Sequence, residues 1–343
     1  NPSPLMVYSI GQAEQFGFYH PAKYWSSPYD AGMTEEIANP ERLQSGTLDF
    51  SFVILYLLPV LLIIWLYSIK SAETDAGFIR LIEVQTRSPF QWLVLRFAFY
   101  FILAVVSILA LMVYGALLTD VFAANASGFS MVFFLMVAYT AFWTLLYLIL
   151  IYFGGGILSN SLKLVAAWLL LIFILPAAVH QWVSAVHPPN LMTEFIDARR
   201  AKLYDLLGQP TDVLVGKLQR LYPEIENSAA TRDKKLRTDA VRWTRAALAN
   251  ELMKASAPQI EEENQKRNQL IRATFWLNPV PYFQNSLNRM TQTHYDDYAS
   301  YRKEIQNVLD QLLRRLVLDT WNQVEVTKTR YLEYVKSFSQ KNP

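Results

Sequence analysis

From Phe50 to Ile69 the chain reads "FSFVILYLLPVLLIIWLYSI", 20 residues without a charge. As a helix this run is about 30 Å long, the thickness of the hydrocarbon core of a bilayer. Three further charge-free runs follow, Phe97 to Leu118, Phe129 to Phe153 and Leu164 to Val186, so four membrane-spanning helices are predicted. The first contains Pro59, which has no N–H to give to the carbonyl one turn earlier; a membrane helix tolerates this only where a neighbour satisfies that carbonyl. The fourth contains Pro176, His180 and Gln181, which sets its far end near the interface.

Charge divides the chain. Of 60 Asp, Glu, Lys and Arg residues, 7 lie in residues 1–48, 10 in 49–187 and 43 in 188–343. Residues 49–187 therefore form a transmembrane domain with helices over 50–69, 97–118, 129–153 and 164–186. Lys70, Arg80, Arg87 and Arg96 surround the first connection and Lys163 lies beside the third, whereas the "TDVFAANASG" turn between the second and third helices has neither Lys nor Arg. Positive connections face the cytoplasm, so residues 1–48 and 188–343 are expected outside, in the periplasm of a Gram-negative cell. The chain starts at Asn1 rather than Met, and a longer parent polypeptide is expected.

Residues 188–343 read as an all-α domain of ordinary size. Asn190 is placed to cap a helix carrying Leu191, Phe195, Leu203 and Leu207. Pro210, Pro223, Pro258 and Pro279 then divide the segment into helices near 211–222, 229–256, 259–276 and 281–292. From Asp296, the residues Tyr298, Tyr301, Ile305, Val308, Leu312 and Leu316 recur at helical spacing, and the tail "VEVTKTRYLEYV" continues as helix. The fold class is an all-α membrane protein, four transmembrane helices plus an extracytoplasmic helical bundle. "TRDKKLRTDAVRWTR", Thr231 to Arg245, mixes acids among its bases and reads as a solvated helix face, not a nucleic-acid surface.

Several chemistries have no sequence support. There are no cysteines, hence no disulfides or thiol nucleophiles, and the four histidines are too scattered for a metal motif. Neither His-Glu-x-x-His nor Gly-x-Ser-x-Gly occurs. The phosphate-cradling Gly-x-x-x-x-Gly-Lys-Ser/Thr is also absent, so hydrolysis of ATP by this chain is not expected.

The charged island "SAETDAGFIRLIEVQTRSPFQW", Ser71 to Trp92, remains to be explained. On a helical wheel Glu73, Ala76, Arg80, Glu83 and Arg87 share one arc and Phe78, Ile79, Leu81 and Ile82 lie near the other, with Asp75 and Gln85 intruding. Such a helix would lie in the interface, its apolar face toward lipid or the bundle, until Ser88-Pro89 turns the chain into the next crossing.

This island resembles the segment that follows the second membrane helix of ABC-2 type transporter permeases, Glu-x-Glu-x-Gly-Thr, a short apolar helix and a Ser-Pro step. Glu73, Gly77 and Ser88-Pro89 match, Asp75 stands for the second acid, and Phe78 replaces the Thr. "NPERLQSGTLDFSFVILYLLPVLLI" (39–63) and "FWLNPVPYFQNSLNRM" (275–290) are similar to a bacterial subclass with large extracytoplasmic domains. The resemblance implies a fragment lacking the first and last membrane helices. It also implies a permease subunit of the bacterial inner membrane, an exporter paired with a second permease subunit, as a homodimer or with a sister chain. A separate ATP-binding subunit, which holds ATP and Mg, would dock on 71–92 through Glu73, Asp75, Gly77, Arg80, Glu83, Arg87 and Pro89. No cofactor is expected in this chain, and its substrate is unknown. The rival reading is a membrane-anchored envelope scaffold or sensor whose outer domain binds a protein; a membrane-embedded enzyme ranks last.

Overall fold

The computed structural model describes residues 3–11, 49–187, 201–325 and 327–339. All regular structure among them is helical. Four helices are long and apolar enough to cross a membrane: α1 (Phe50–Asp75), α3 (Pro89–Leu118), α4 (Val121–Tyr152) and α5 (Ile157–Val186). Between the first two lies the short α2 (Ile79–Gln85). Beyond α5 come α6 (201–207), α7 (Thr211–Leu221), the single turn α8 (Ala229–Arg232), α9 (Lys234–Ala273), α10 (Pro279–Met290), α11 (Tyr295–Trp321) and α12 (Lys328–Ser339). The chain is a helical membrane protein with a second helical layer at one end.

The spanning helices exceed their charge-free runs because capping, not apolarity, sets their ends. α3 starts at Pro89, with the Ser88 hydroxyl accepting from Gln91 N at 3.4 Å. α4 starts just after Asp120, whose φ of 48° makes the turn, and is kinked at Asn125. There the Asn125 side chain accepts from Gly128 N at 2.9 Å, so the ten-residue turn read in the sequence shrinks to Thr119-Asp120.

Both prolines inside spanning helices follow a wide π-type turn, Val53–Leu57 before Pro59 and Leu170–Ile174 before Pro176. Carbonyls in and beside these turns accept hydrogen bonds from other helices. Leu55 O, one turn before Pro59, accepts from the Tyr139 hydroxyl on α4 at 2.5 Å. Tyr56 O accepts from Trp168 Nε1 on α5 at 3.3 Å, and Pro59 O from the Tyr147 hydroxyl at 3.3 Å. In the π-type turn of α5 the Leu175 N–H reaches back to Leu170 O, so the donor next in line for Leu171 O would be Pro176, which has none. Leu171 O accepts instead from Asn278 Nδ2, at the start of α10, at 2.6 Å.

That last bond belongs to a larger intrusion. Val280 and Leu287 of α10 are buried in the same core as Leu62, Leu66, Tyr139 and Trp143, so α10 packs into the bundle of spanning helices. The Phe283 ring meets Tyr139 edge-on at 5.0 Å, and the Tyr56 hydroxyl donates to Gln284 Oε1 at 3.3 Å. The 3-10 turn Pro4–Tyr8 enters the same end of the bundle, against α3 and α4. Its Leu5 occupies the space where a side chain on Gly128 would stand, and the Tyr8 hydroxyl donates to Met112 O at 2.9 Å. Ser9 then donates to Asn288 Oδ1 of α10 at 2.9 Å.

A separate core, including Leu218, Ile225, Ala240, Leu248, Val317 and Trp321, joins α7, α9 and α11. The break expected at Pro258 is absent: α9 runs through it for 40 residues, with Pro258 exposed on its surface. Packing on either side holds the helix, since Asn250 and Lys254 bind Asp310 of α11 at 2.8 and 2.7 Å and Glu261 faces Arg302 at 3.9 Å. The break comes earlier instead, at Asp233, whose carboxylate caps α9 by accepting from Lys235 N and Leu236 N. α12 is a helix separate from α11, not its continuation. The residues 188–200, including the expected cap Asn190, and 12–48 lie outside the described residues.

Two measurements test this packing. Tyr139→Phe leaves Leu55 O without its donor inside the bundle and is expected to cost about 1–3 kcal/mol, read as a lowered Tm in detergent. The second concerns His294, which caps α11 by accepting from Asp296 N through Nδ1 at 3.1 Å while its own N–H donates to Asp297 Oδ2. Burial, helped by Arg289 and Arg272 and opposed by Asp296 and Asp297, holds its pKa below the ordinary 6.5. The unfolded chain then binds the proton more readily, so stability is complete above the ordinary value and is lost as pH falls below it. His294→Asn keeps a capping side chain without the titration, and the fall in Tm between pH 7.5 and pH 5.5 is expected to be smaller in that variant.

Candidate functional site

The seven residues singled out in the charged island do not share one helix face. Gly77, at φ +78°, ends Ser71–Asp75 and starts a new direction for α2, so the single amphipathic helix read from the wheel is broken in two. A Cβ on Gly77 would meet nothing within 4 Å, so the turn is set by backbone conformation and not by crowding.

Upstream of Gly77 the acids turn back onto the bundle. Glu73 is ion-paired with Arg96 of α3, and the same guanidinium donates to Ile69 O at 2.9 Å and lies 4.2 Å from the centre of the Trp92 ring. Arg96 thereby ties α1 to α3. Asp75 accepts from Ile157 N at 2.9 Å, so its carboxylate caps the N-terminus of α5 from across the bundle. Lys70 donates to Tyr152 O at 3.0 Å, and Lys163 donates to Leu150 O at 3.3 Å and to Gly154 O. The connections after α1 and after α4 are thereby bound together at one end of the bundle. Lys70 and Lys163 act as structural ties there, a role that Tyr152 and the "GGG" turn, Gly154 to Gly156, did not announce in the sequence.

Downstream of Gly77 the side chains point away. Phe78 is 60%, Leu81 55% and Val84 85% exposed, while Ile79 and Ile82 are half-buried, so much of the apolar surface of α2 is open. Arg80, Glu83 and Arg87 are exposed and form no ion pair among the described residues. Pro89, also exposed, opens α3. The structure thus separates the seven residues into a fixed root, Glu73 and Asp75, a hinge-like turn at Gly77, and a protruding knob carrying Arg80, Glu83 and Arg87, with Pro89 as its far anchor.

The opposite end of the bundle is closed by α10 and by the 3-10 turn. Asn278 serves two purposes there, accepting from Val280 N at 3.1 Å as the cap of α10 and donating to Leu171 O. His180 lies in α5 with no side-chain hydrogen bond among the described residues, while His187 at the end of α5 bonds to Glu263 of α9. No group of three or more His, Asp or Glu side chains able to hold a metal occurs among the described residues.

Comparison with protein-family models, with curated proteins and with solved structures finds no match.

The separation of root and knob has a direct test in stability. Arg96→Leu strips Glu73, whose side chain is 20% exposed, of its partner and is expected to lower stability by about 1–3 kcal/mol. Arg80→Glu with Arg87→Glu touches only exposed side chains that form no ion pair among the described residues and is expected to shift it by about 0.5 kcal/mol or less. Chemical denaturation in mixed micelles, followed by far-UV circular dichroism, reads both.

Proposed function

We propose that this chain is a permease subunit of a bacterial ABC transporter, an exporter of ABC-2 type, whose drive enters through the knob at 78–87. The observation that carries the reading is the contrast at Gly77. A rooted segment fixed to α3 and α5 continues into a projection on which Phe78, Leu81 and Val84 are exposed and Arg80, Glu83 and Arg87 have no ion-pair partner among the described residues. Force applied to Phe78, Arg80, Leu81, Val84 or Arg87 would pass through Glu73 to α3 and through Asp75 to α5. An apolar patch rimmed by charges is also what a protein partner recognises. Without a phosphate-binding loop of its own, the chain would take its energy from an ATP-binding subunit that carries ATP and Mg. On this reading residues 71–92 face the cytoplasm, the outer helices stand in the periplasm with α10 reaching back into the bundle, and a second permease subunit completes the pathway.

The test is affinity purification of the full-length protein from its native membrane in mild detergent, wild type beside Arg80→Glu plus Arg87→Glu. Vanadate-sensitive ATPase activity is expected to accompany the wild type and to be lost from the reversed variant. A well-folded wild-type protein without ATPase would overturn the proposal and favour an anchored scaffold.

A further inference from the structure

Far from the knob, the outer layer holds a cleft of about 550 Å³ between α9, the end of α11 and the turn that follows it. Its position is fixed by helix termination. Gln323, at φ +54°, lets Val324 N reach back to Asp319 O at 2.9 Å, which folds the chain over the end of α11 and brings Val324 and Glu325 opposite α9. The walls are the Trp243 indole and the side chains of Leu316 and Val324; three carboxyl groups line the cleft, Asp239, Asp319 and Glu325.

These carboxylates are not equivalent. Asp319 is buried and satisfied, since Arg330 of α12 donates to it through Nε at 2.9 Å and Nη2 at 2.8 Å and the Tyr334 hydroxyl donates as well. That fork holds its carboxyl below the usual range. Asp239 and Glu325 are exposed and have no ion-pair partner among the described residues. Trp243 is 57% exposed, with no ring or cation stacked on it among the described residues. Asp239 lies one helical turn before Trp243, so carboxylate and indole share one face of α9.

We propose that this cleft binds an organic cation, an alkylammonium group whose charge lies between Asp239 and Glu325 and whose carbon chain lies along Trp243, Leu316 and Val324. An open aromatic face attracts a cation through the ring quadrupole, and two uncompensated carboxylates supply the opposite charge. An inorganic divalent ion would use the carboxylates but gain nothing from the indole, and an uncharged apolar molecule would leave both acids unmatched. The volume suits a small molecule or one side chain. A free diamine and the lysine side chain of a peptide present the same chemistry.

Isothermal titration of the full chain in detergent tests this with cadaverine and, in parallel, with lysine blocked at its amino and carboxyl ends. Saturable binding is expected; tighter binding of cadaverine assigns the site to free diamines, and equal or tighter binding of blocked lysine assigns it to a peptide side chain. Trp243→Ala is expected to weaken the bound probe about tenfold, Trp243→Tyr to retain most of the affinity, and Asp239→Asn with Glu325→Gln to abolish it. All three positions are exposed, and an unchanged Tm confirms that each variant is folded. No saturation with either probe overturns the proposal. Binding unaltered by Trp243→Ala and displaced by Mg equally overturns it, because the cleft is then an acidic surface without an organic-cation site.

Discussion

Inside a bilayer no water is present to satisfy a backbone carbonyl that its own helix has abandoned, and that cost organises this structure. Pro59 and Pro176 each open their helix into a wide turn, and carbonyls in and beside these turns become acceptors. Tyr139 and Trp168 answer the first, drawing α4 and α5 toward α1. Asn278 answers the second, drawing α10 into the bundle. Apolar contact alone gives weak guidance among helices already surrounded by hydrocarbon, so these hydrogen bonds at defects specify which helix meets which.

The two ends of the bundle use charge in different ways. At the end carrying the island, beside the Glu73–Arg96 ion pair, three ties join a side chain to a helix terminus or a turn: Arg96 to Ile69 O, Asp75 to Ile157 N, Lys70 to Tyr152 O. Such contacts match formal charges to the partial charges of helix ends and fix the connections without a large core. At the other end the closure is apolar and aromatic, through Leu5, Tyr8, Phe283 and Leu287, with short polar links such as Ser9 to Asn288. On the knob beyond Gly77 exposed apolar groups lie beside charges that have no ion-pair partner among the described residues, and this contrast favours a partner there.

The four crossings were legible because charge-free runs of bilayer length have few alternative explanations, and the need for a foreign donor at Pro59 followed from the missing N–H. Cap-driven boundaries were harder to read. Ser88 and Asp120 extend helices beyond their apolar runs, while Asp233 ends one turn and begins the long α9 that passes through Pro258. Propensity placed a break at Pro258, but interactions with α11 on both sides of it prevail over a local cost of about 3 kcal/mol. The division of the island is also hidden in the sequence, because a glycine amid helix formers does not by itself announce the positive φ that separates two short helices. Nothing in "PLMVY", Pro4 to Tyr8, signals insertion between α3 and α4; that depends on the space left by Gly128, a tertiary fact.

Helix α10 makes the membrane and outer layers mechanically inseparable. Its start is fixed to the proline defect of α5 by Asn278, its middle to α1 and α4 by Gln284 and Phe283, and its end to the N-terminal arm by Asn288. Withdrawing it would leave Leu171 O without a donor and uncover Val280 and Leu287 together, so the segment moves as a unit or not at all. Any rearrangement of α5 must either carry α10 with it or replace the Asn278 bond. A displacement begun at Asp75, which caps the other end of α5, would therefore reach the outer layer through the helix whose two termini are held by these two side chains' hydrogen bonds: Asp75 at Ile157 N, and His187 with Glu263 on α9. On the transport reading this is the route by which work done at the knob reaches the far side, and it follows from the same requirement that placed Asn278 against Leu171.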